Sequence, residues 1–237
     1  MAGAEPHIVR AFDSELEEIR ALVSLLGGVA EAAIGDCVSA LLVRDLALAL
    51  QIIRDDRNVE EMAREIERQC VRTIALRAPV ADDLRQILAA FKIATMIERM
   101  GDCARSIAEQ VHLAESFESR GAFRLLQAMS LDVAAMVRAA LDAFVRQDAA
   151  GAGSVCGGQE RVHALGSALF RELLDGMTNN PAEIGGSLCL LLVAQNLERI
   201  GGHAISIGRA VHFSVTATPL DCCMPDSPGG EGRPSLG

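Results

Sequence analysis

A segment of fifteen residues occurs twice in this chain, 100 residues apart, and it constrains the fold more than any other feature. Residues 98–112 read ERMGDCARSIAEQVH and residues 198–212 read ERIGGHAISIGRAVH, with eight identical positions and no gap. Two unrelated amphipathic helices would share far fewer positions. A recurrence at this period indicates two tandem supersecondary units of one kind. The sequence therefore predicts two similar halves.

Apolar residues recur with helical spacing through most of the chain, and breakers interrupt that spacing at corresponding places in the two halves. Asp45 is a predicted N-cap and Ala78-Pro79 a predicted helix end, and Asp148 and Asn180-Pro181 repeat this arrangement. The predicted helices span about 7–43, 46–77, 82–115, 122–147, 159–178 and 181–214. The predicted fold is all-α, with six helices in two tandem pseudo-symmetric three-helix bundles.

Glycine-rich and polar stretches indicate where this regular plan is interrupted. Gly27-Gly28 is a predicted weak point or close-packing position in the first helix, and four glycines within 151–158 predict a late or broken fifth helix. The polar link 118–120 separates the halves. The predicted domains are therefore 1–117 and 121–217, followed by a disordered Pro/Gly-rich tail over 218–237.

Composition and charge exclude several classes of protein. The formal net charge of −10 argues against a nucleic-acid partner, since that partner is itself a polyanion. The seven cysteines form no Cys-x-x-Cys pair, which predicts buried reduced thiols in a reducing compartment. The acidic N-terminus contains no apolar signal core, and the longest apolar-leaning run, Ile184–Ala194, is shorter than the roughly 20 residues that span a bilayer. The prediction is a soluble cytoplasmic protein.

Two carboxylates continue an apolar stripe on the third predicted helix. Glu98 and Asp102 are four residues apart and project from the face that Leu84, Ile87 and Phe91 begin. Two desolvated acids repel each other unless a positive charge lies between them. A hard metal ion would supply that charge, and so would Arg99 or another basic side chain.

A second pair of acids lies on the preceding helix. Asp56 and Glu60 are also four residues apart, so antiparallel packing of the two helices could bring them to Glu98 and Asp102 as a cluster of four carboxylates. A solvated acidic face is an equally good interpretation of the same spacing. Spacing alone leaves both interpretations open.

Several separated segments resemble, in order, the PhoU family of phosphate-signalling regulators. They are AFDSELEEIRALV, DLALALQIIRDDRNVEEM, CVRTIALRAPVADDLR, IERMGD and LERIGGHA, which lie within residues 7–215. The resemblance implies two repeated three-helix bundles and a cytoplasmic, often dimeric protein. It also implies a negative regulator that links the ATPase of the high-affinity phosphate importer to a sensor histidine kinase, and that meets the membrane only through the transporter.

Some members of that family bind iron, zinc or other metals through a Glu/Asp-x-x-x-Asp motif in each repeat. By resemblance, the metal ligands of the first repeat are Asp56, Glu60, Glu98 and Asp102. In the second repeat Glu198 matches the start of the motif and His203 follows it, but Gly202 replaces the motif Asp. Aligning Asp45 with Asp148 also sets Gln159 opposite Asp56 and His163 opposite Glu60. We therefore expect a site for a metal ion, iron or zinc, on the first repeat and a weaker site at Glu198 and His203.

Two other functions are consistent with parts of the sequence. A carboxylate-bridged di-metal enzyme would use the pairs Glu109-x-x-His112 and Glu160-x-x-His163, although Glu109 becomes Arg209 in the repeat. A metal-free structural adaptor is the other alternative. No nucleophile with a base and no phosphate-binding Gly-rich loop is recognisable, so the sequence favours a protein that is not an enzyme. Lys92, the only lysine, is expected to form a structural ion pair.

Overall fold

The computed structural model describes the backbone of residues 5–113 and 119–222, with side chains from residue 12 onward. All regular secondary structure within these ranges is helical. The α-helices are α1 (Glu5–Val43), α2 (Leu46–Arg77), α3 (Ala81–Ala108), α4 (Arg120–Arg146), α5 (Ala149–Ser154), α6 (Gly158–Asn179) and α7 (Ile184–Thr216). The prediction of an all-α fold with two tandem three-helix units is confirmed.

The two units pack through the helices that carry the repeated segment. Helices α1, α2 and α3 contact one another in the first unit, and α4 packs against α6 and α7 in the second. The most extensive contact joins α3 to α7 across the two units, while α1 also packs against α4. Leu88, near the start of α3, and Phe213, near the end of α7, line one groove, so the two helices run antiparallel. The repeated segments therefore lie face to face near the centre of the molecule.

Helices α5 and α6 together form the counterpart of α2. A 3-10 turn over Val155–Gly157 separates them, so the predicted break occurs, although helix begins at Ala149 and not near 159. Asp148 caps α5 by accepting from the backbone N–H of Ala150 and Gly151 at 3.0 Å. Asp45 caps α2 in the same way through the N–H of Leu48 at 3.0 Å. Both predicted N-caps are confirmed.

One local expectation was wrong, one of two alternatives is supported, and one lies mostly outside the described residues. Helix α1 is continuous through Gly27-Gly28, and a Cβ added to Gly27 would lie 2.9 Å from Leu141 of α4. Gly27 therefore allows α1 to pack closely against α4, and it does not weaken the helix. Helix α3 ends at Ala108 because turns occupy residues 109–113, whereas its predicted end near 115 lies outside the described residues. Of the predicted tail, only residues up to 222 are described.

The expectation that Ile184–Ala194 is the longest apolar-leaning run was wrong, since α1 contains a longer one. Among the described residues, one helical segment, Phe12–Val43, is long and apolar enough by composition to cross a bilayer. Its charged residues cluster in the first turns, and the stretch that follows is mostly apolar. Ile19, Val23 and Leu26 of this segment are almost fully buried against neighbouring helices. This is the packing of a core helix within a bundle.

The six cysteines that the structure describes divide into two groups. The thiols of Cys37, Cys70, Cys103 and Cys189 are free and buried, as predicted. Burial raises the pKa of the Cys70 thiol to about 12, which keeps it protonated. Cys156 and Cys222 instead form a disulfide, which corrects the prediction that all thiols are reduced. Leu220 lies beside Gly153 of α5, and this contact brings the following Cys222 to Cys156.

Two glycines of α7 provide a test of the packing. A Cβ added to Gly208 would lie 2.7 Å from the backbone carbonyl oxygen of Ala152, whereas one added to Gly202 meets nothing within 4 Å. Gly208→Ala should therefore lower the free energy of unfolding by about 1–3 kcal/mol, because α5 must move away. Gly202→Ala should raise it by up to about 1 kcal/mol through helix propensity. Chemical denaturation measures both, and equal effects would contradict the close approach of α5 and α7.

Candidate functional site

The predicted carboxylate cluster begins on the buried stripe of α2. Asp56 follows Ile52 by four residues on that stripe and is only 8% exposed. Gly101 of α3 faces it, and a Cβ added to Gly101 would lie 3.2 Å from Asp56 Oδ1 and 3.0 Å from Val59. The glycine of the repeated segment thus lets α2 approach α3 closely. The consequence is a carboxylate enclosed between two helices.

One guanidinium group joins this carboxylate to two acids of α3. Arg105 donates from Nε to Asp56 Oδ2 at 2.8 Å and from Nη2 to Asp102 Oδ1 at 3.2 Å. It also donates from Nη1 to Glu109 Oε1 at 2.9 Å. The sequence left a metal or a basic side chain open as the positive partner of these acids. In the structure Arg105 is the basic partner of Asp56 and Asp102, while Arg99 is the positive charge that acts on Glu98.

The other two predicted ligands, Glu60 and Glu98, lie close enough to Asp56 and Asp102 for their charges to interact. Burial raises the pKa of Glu98, and the neighbouring charges of Asp102 and Glu60 raise it further. Burial also raises the pKa of Asp56; Arg105 opposes that shift, and Asp102 and Glu60 reinforce it. Glu60 itself accepts from Arg64 at 2.6 Å. The four acids that the sequence assigned to the first site therefore lie near enough to influence one another's pKa.

This donor set fits a hard cation in chemistry but not in its present geometry. Carboxylate oxygens from two helices are the ligands that such a cation prefers. Within residues 5–113 and 119–222, however, no three acidic, histidine or cysteine side chains converge closely enough to hold a metal ion. Arg105 lies between Asp56 and Asp102, so a metal ion at that point requires the guanidinium to move away.

The second repeat holds a different arrangement. His163 Nδ1 lies 3.4 Å from Glu198 Oε1, and His163 Nε2 lies 3.0 Å from the Gln159 amide nitrogen. His203 does not join them, because five residues place it about 140° around α7 from Glu198. Burial lowers the pKa of His203, and the charges of Arg99 and Arg199 lower it further. Glu198 thus pairs with His163 in this structure, and a weaker metal site at Glu198 and His203 stays a prediction.

Sequence reasoning missed the role of Arg105, although a signal was present. It lies three residues after Asp102 and four before Glu109, which are the spacings of helical ion pairs. Its counterpart in the second repeat is Ile205, just as Glu109 is matched by Arg209. The salt-bridge network is thus confined to the first repeat, like the carboxylates that it connects.

The two Glu-x-x-His pairs are not brought together as a di-metal centre. Glu109 accepts from Arg105, and His112 is exposed in the turn after α3. Glu160 is exposed on α6, which packs mainly against α4 and α7. The two pairs therefore do not share one site.

These features define a class of all-α protein in which two three-helix repeats pack through helices that carry a Glu-Arg-x-Gly segment, with a carboxylate cluster on one repeat. The PhoU domain model matches residues 23–111 and 126–211, once in each half. The chain belongs to the PhoU family.

Relatives align with nearly the whole chain. The phosphate-specific transport system accessory protein PhoU homolog of Zymomonas mobilis is 39% identical over 214 residues, which are 90% of each chain. The protein with the same name from Caulobacter vibrioides is 37% identical, over 92% of this chain and 96% of its own.

Two solved structures have the same fold. The crystal structure of PhoU from Pseudomonas aeruginosa has a TM-score of 0.84 at 36% identity and covers 87% of this chain and 100% of its own. The phosphate transport system regulatory protein PhoU from Streptococcus pneumoniae has a TM-score of 0.82 at 26% identity and covers 89% and 99%. The resemblance predicted from the sequence segments is confirmed.

Proposed function

We propose that this protein is a negative regulator of phosphate uptake and phosphate-starvation signalling. It acts as a cytoplasmic adaptor between the ATPase of the phosphate-specific importer and a sensor histidine kinase, and it has no turnover of its own. The observation that carries this proposal is the alignment along nearly the whole chain with relatives named as accessory proteins of the phosphate-specific transport system. The chain therefore aligns with most of the length of those relatives, and it has the fold of the solved PhoU structure.

The proposal includes a homodimer and a metal ion, iron or zinc, on the first repeat. The four acids at α2 and α3 support a cation there, because the charges of Glu60 and Asp102 both raise the pKa of Glu98. A bound cation would replace Arg105 as the partner of Asp56 and Asp102. Such an ion would hold α2 against α3 through carboxylates of both helices.

Deletion of the gene tests the proposed function. We expect the deletion strain to express its phosphate importer and phosphate-starvation genes in phosphate-rich medium, since the negative regulator is missing. Reporter fusions and uptake of radiolabelled phosphate measure this, and a plasmid copy of the gene should restore repression. Unchanged expression in a strain that has no second gene of the family would overturn the proposal.

A further inference from the structure

The α3–α7 groove is a cavity of about 330 Å³ at one end of the interface between these helices. The first half of α3 forms one wall and the last turns of α7 form the other, while Pro219 and Leu220 form the rim. Leu88 and Phe213 line it with 50% and 46% of their surfaces exposed. The groove therefore presents apolar side chains that the described chain leaves uncovered.

Three cations surround this apolar lining. Arg85, Lys92 and Arg209 all line the groove. Arg85 pairs with Asp82, yet its Nε is shielded from water and has no hydrogen-bond partner among the described residues. Lys92 and Arg209 form no ion pair with any residue that the structure describes. The expectation that Lys92 forms a structural ion pair was wrong, because its helix turns it away from the acids of α2 and α3.

The fold does not require these cations. The repeat relates each residue of one half to the residue 100 positions away in the other half. By this offset Leu88 corresponds to Leu188, and Phe213 corresponds to Leu113. The apolar character is thus kept in both copies. The cations are not kept, because the counterparts of Arg85, Lys92 and Arg209 are Gly185, Leu192 and Glu109. A chain with a net charge of −10 therefore gathers positive charge around this groove and not at the matching positions of the repeat.

We propose that the α3–α7 groove docks an acidic amphipathic helix of a partner protein. An apolar strip with flanking cations is complementary to a helix whose leucine-like face carries glutamate or aspartate on its flanks. An anionic membrane fits less well, since it would repel the net charge of the rest of the protein. The inference deepens the adaptor role and rests on that proposed function for its biological use. The chemistry of the groove can be tested separately.

A synthetic peptide tests the docking chemistry on the full-length protein. The probe is a fluorescein-labelled helix of about 18 residues with leucine at i, i+3, i+4 and i+7 and glutamate on both flanks. Fluorescence anisotropy should show saturable binding that weakens with added salt. Lys92→Glu/Arg209→Glu should weaken it about tenfold or more, because two attractive contacts become repulsive. The matched control is Arg124→Glu/Arg171→Glu, which makes the same charge change at exposed arginines of α4 and α6 and should leave affinity unchanged.

Position and specificity are checked on the same complex. Lys92 is the only lysine, so carbodiimide coupling followed by mass spectrometry should join its Nζ to a peptide glutamate. The proposal is overturned if a lysine-flanked peptide with the same apolar face binds equally well. It is also overturned if the control variant loses as much affinity, or if phosphatidylglycerol–phosphatidylethanolamine vesicles displace the peptide and bind wild type more tightly.

A cellular measurement separates this inference from the adaptor role. The plasmid-borne Lys92→Glu/Arg209→Glu variant should fail to restore repression in the deletion strain, whereas Arg124→Glu/Arg171→Glu should restore it. Full restoration by the groove variant would overturn the groove as a docking surface and leave the regulatory function standing. If the deletion itself has no phenotype, the regulatory function fails, and peptide binding still decides the chemistry of the groove.

Discussion

Replacing Arg105 with leucine should lower the free energy of unfolding by about 2–3 kcal/mol at neutral pH. Removing one partner of a fully buried ion pair costs about 3–5 kcal/mol, but the Arg105 side chain is 35% exposed and solvent screens part of its charge. The loss arises because Asp56, only 8% exposed, keeps its charge without a partner. Urea denaturation measures it, with Arg64→Leu as the control at an exposed Arg–Glu pair, where the expected change is below about 1 kcal/mol.

The pH dependence identifies the cause. Arg105 lowers the pKa of Asp56 against burial, so its removal raises that pKa further above the ordinary value of an aspartate. A carboxyl whose pKa is higher in the folded state binds its proton more tightly when folded, and stability is gained as pH falls through that pKa. The difference between variant and wild type should therefore shrink on acidification. It should also shrink in Arg105→Leu/Asp56→Asn, and a difference independent of pH would contradict the unpaired carboxylate.

Much of the fold could be predicted because local chemistry decides it. The N-caps Asp45 and Asp148 act through bonds to residues two or three positions away, so sequence alone identifies them. The internal repeat likewise predicts two copies of one unit. The continuity of α1 was less predictable. Gly27 permits a kink in an isolated helix, but its close packing against Leu141 keeps α1 continuous. That contact joins residues far apart in sequence.

In the candidate site too, features set within one helix could be predicted, whereas contacts between helices could not. The i, i+4 spacing of Asp56 with Glu60 and of Glu98 with Asp102 predicts which acids share a helical face, and the structure brings these faces together. The position of Arg105 depends on how far a long side chain reaches between packed helices, which spacing does not determine. The pairing of Glu198 with His163 likewise depends on how α6 packs against α7, which a motif within one helix does not reveal.

We expect any metal bound by the protein, purified without chelator, to reside on the first repeat. A hard cation needs several oxygen ligands, and Asp56, Glu60, Glu98 and Asp102 supply four carboxylates. Glu98→Ala/Asp102→Ala should therefore remove most of the metal that elemental analysis detects. Glu198→Ala, the matched change in the second repeat, should alter it little, since Glu198 is there accompanied by His163 and no second carboxylate.

The reverse substitution tests whether one missing carboxylate limits the second repeat. Gly202→Asp restores Glu-x-x-x-Asp there, and the open space around Gly202 accepts the side chain without displacing a neighbour. The new carboxylate would share a helix face with Glu198, near His163, and metal capacity should rise. If Gly202→Asp adds no capacity, or if Glu198→Ala costs as much metal as Glu98→Ala/Asp102→Ala, then the residue at 202 does not set the asymmetry.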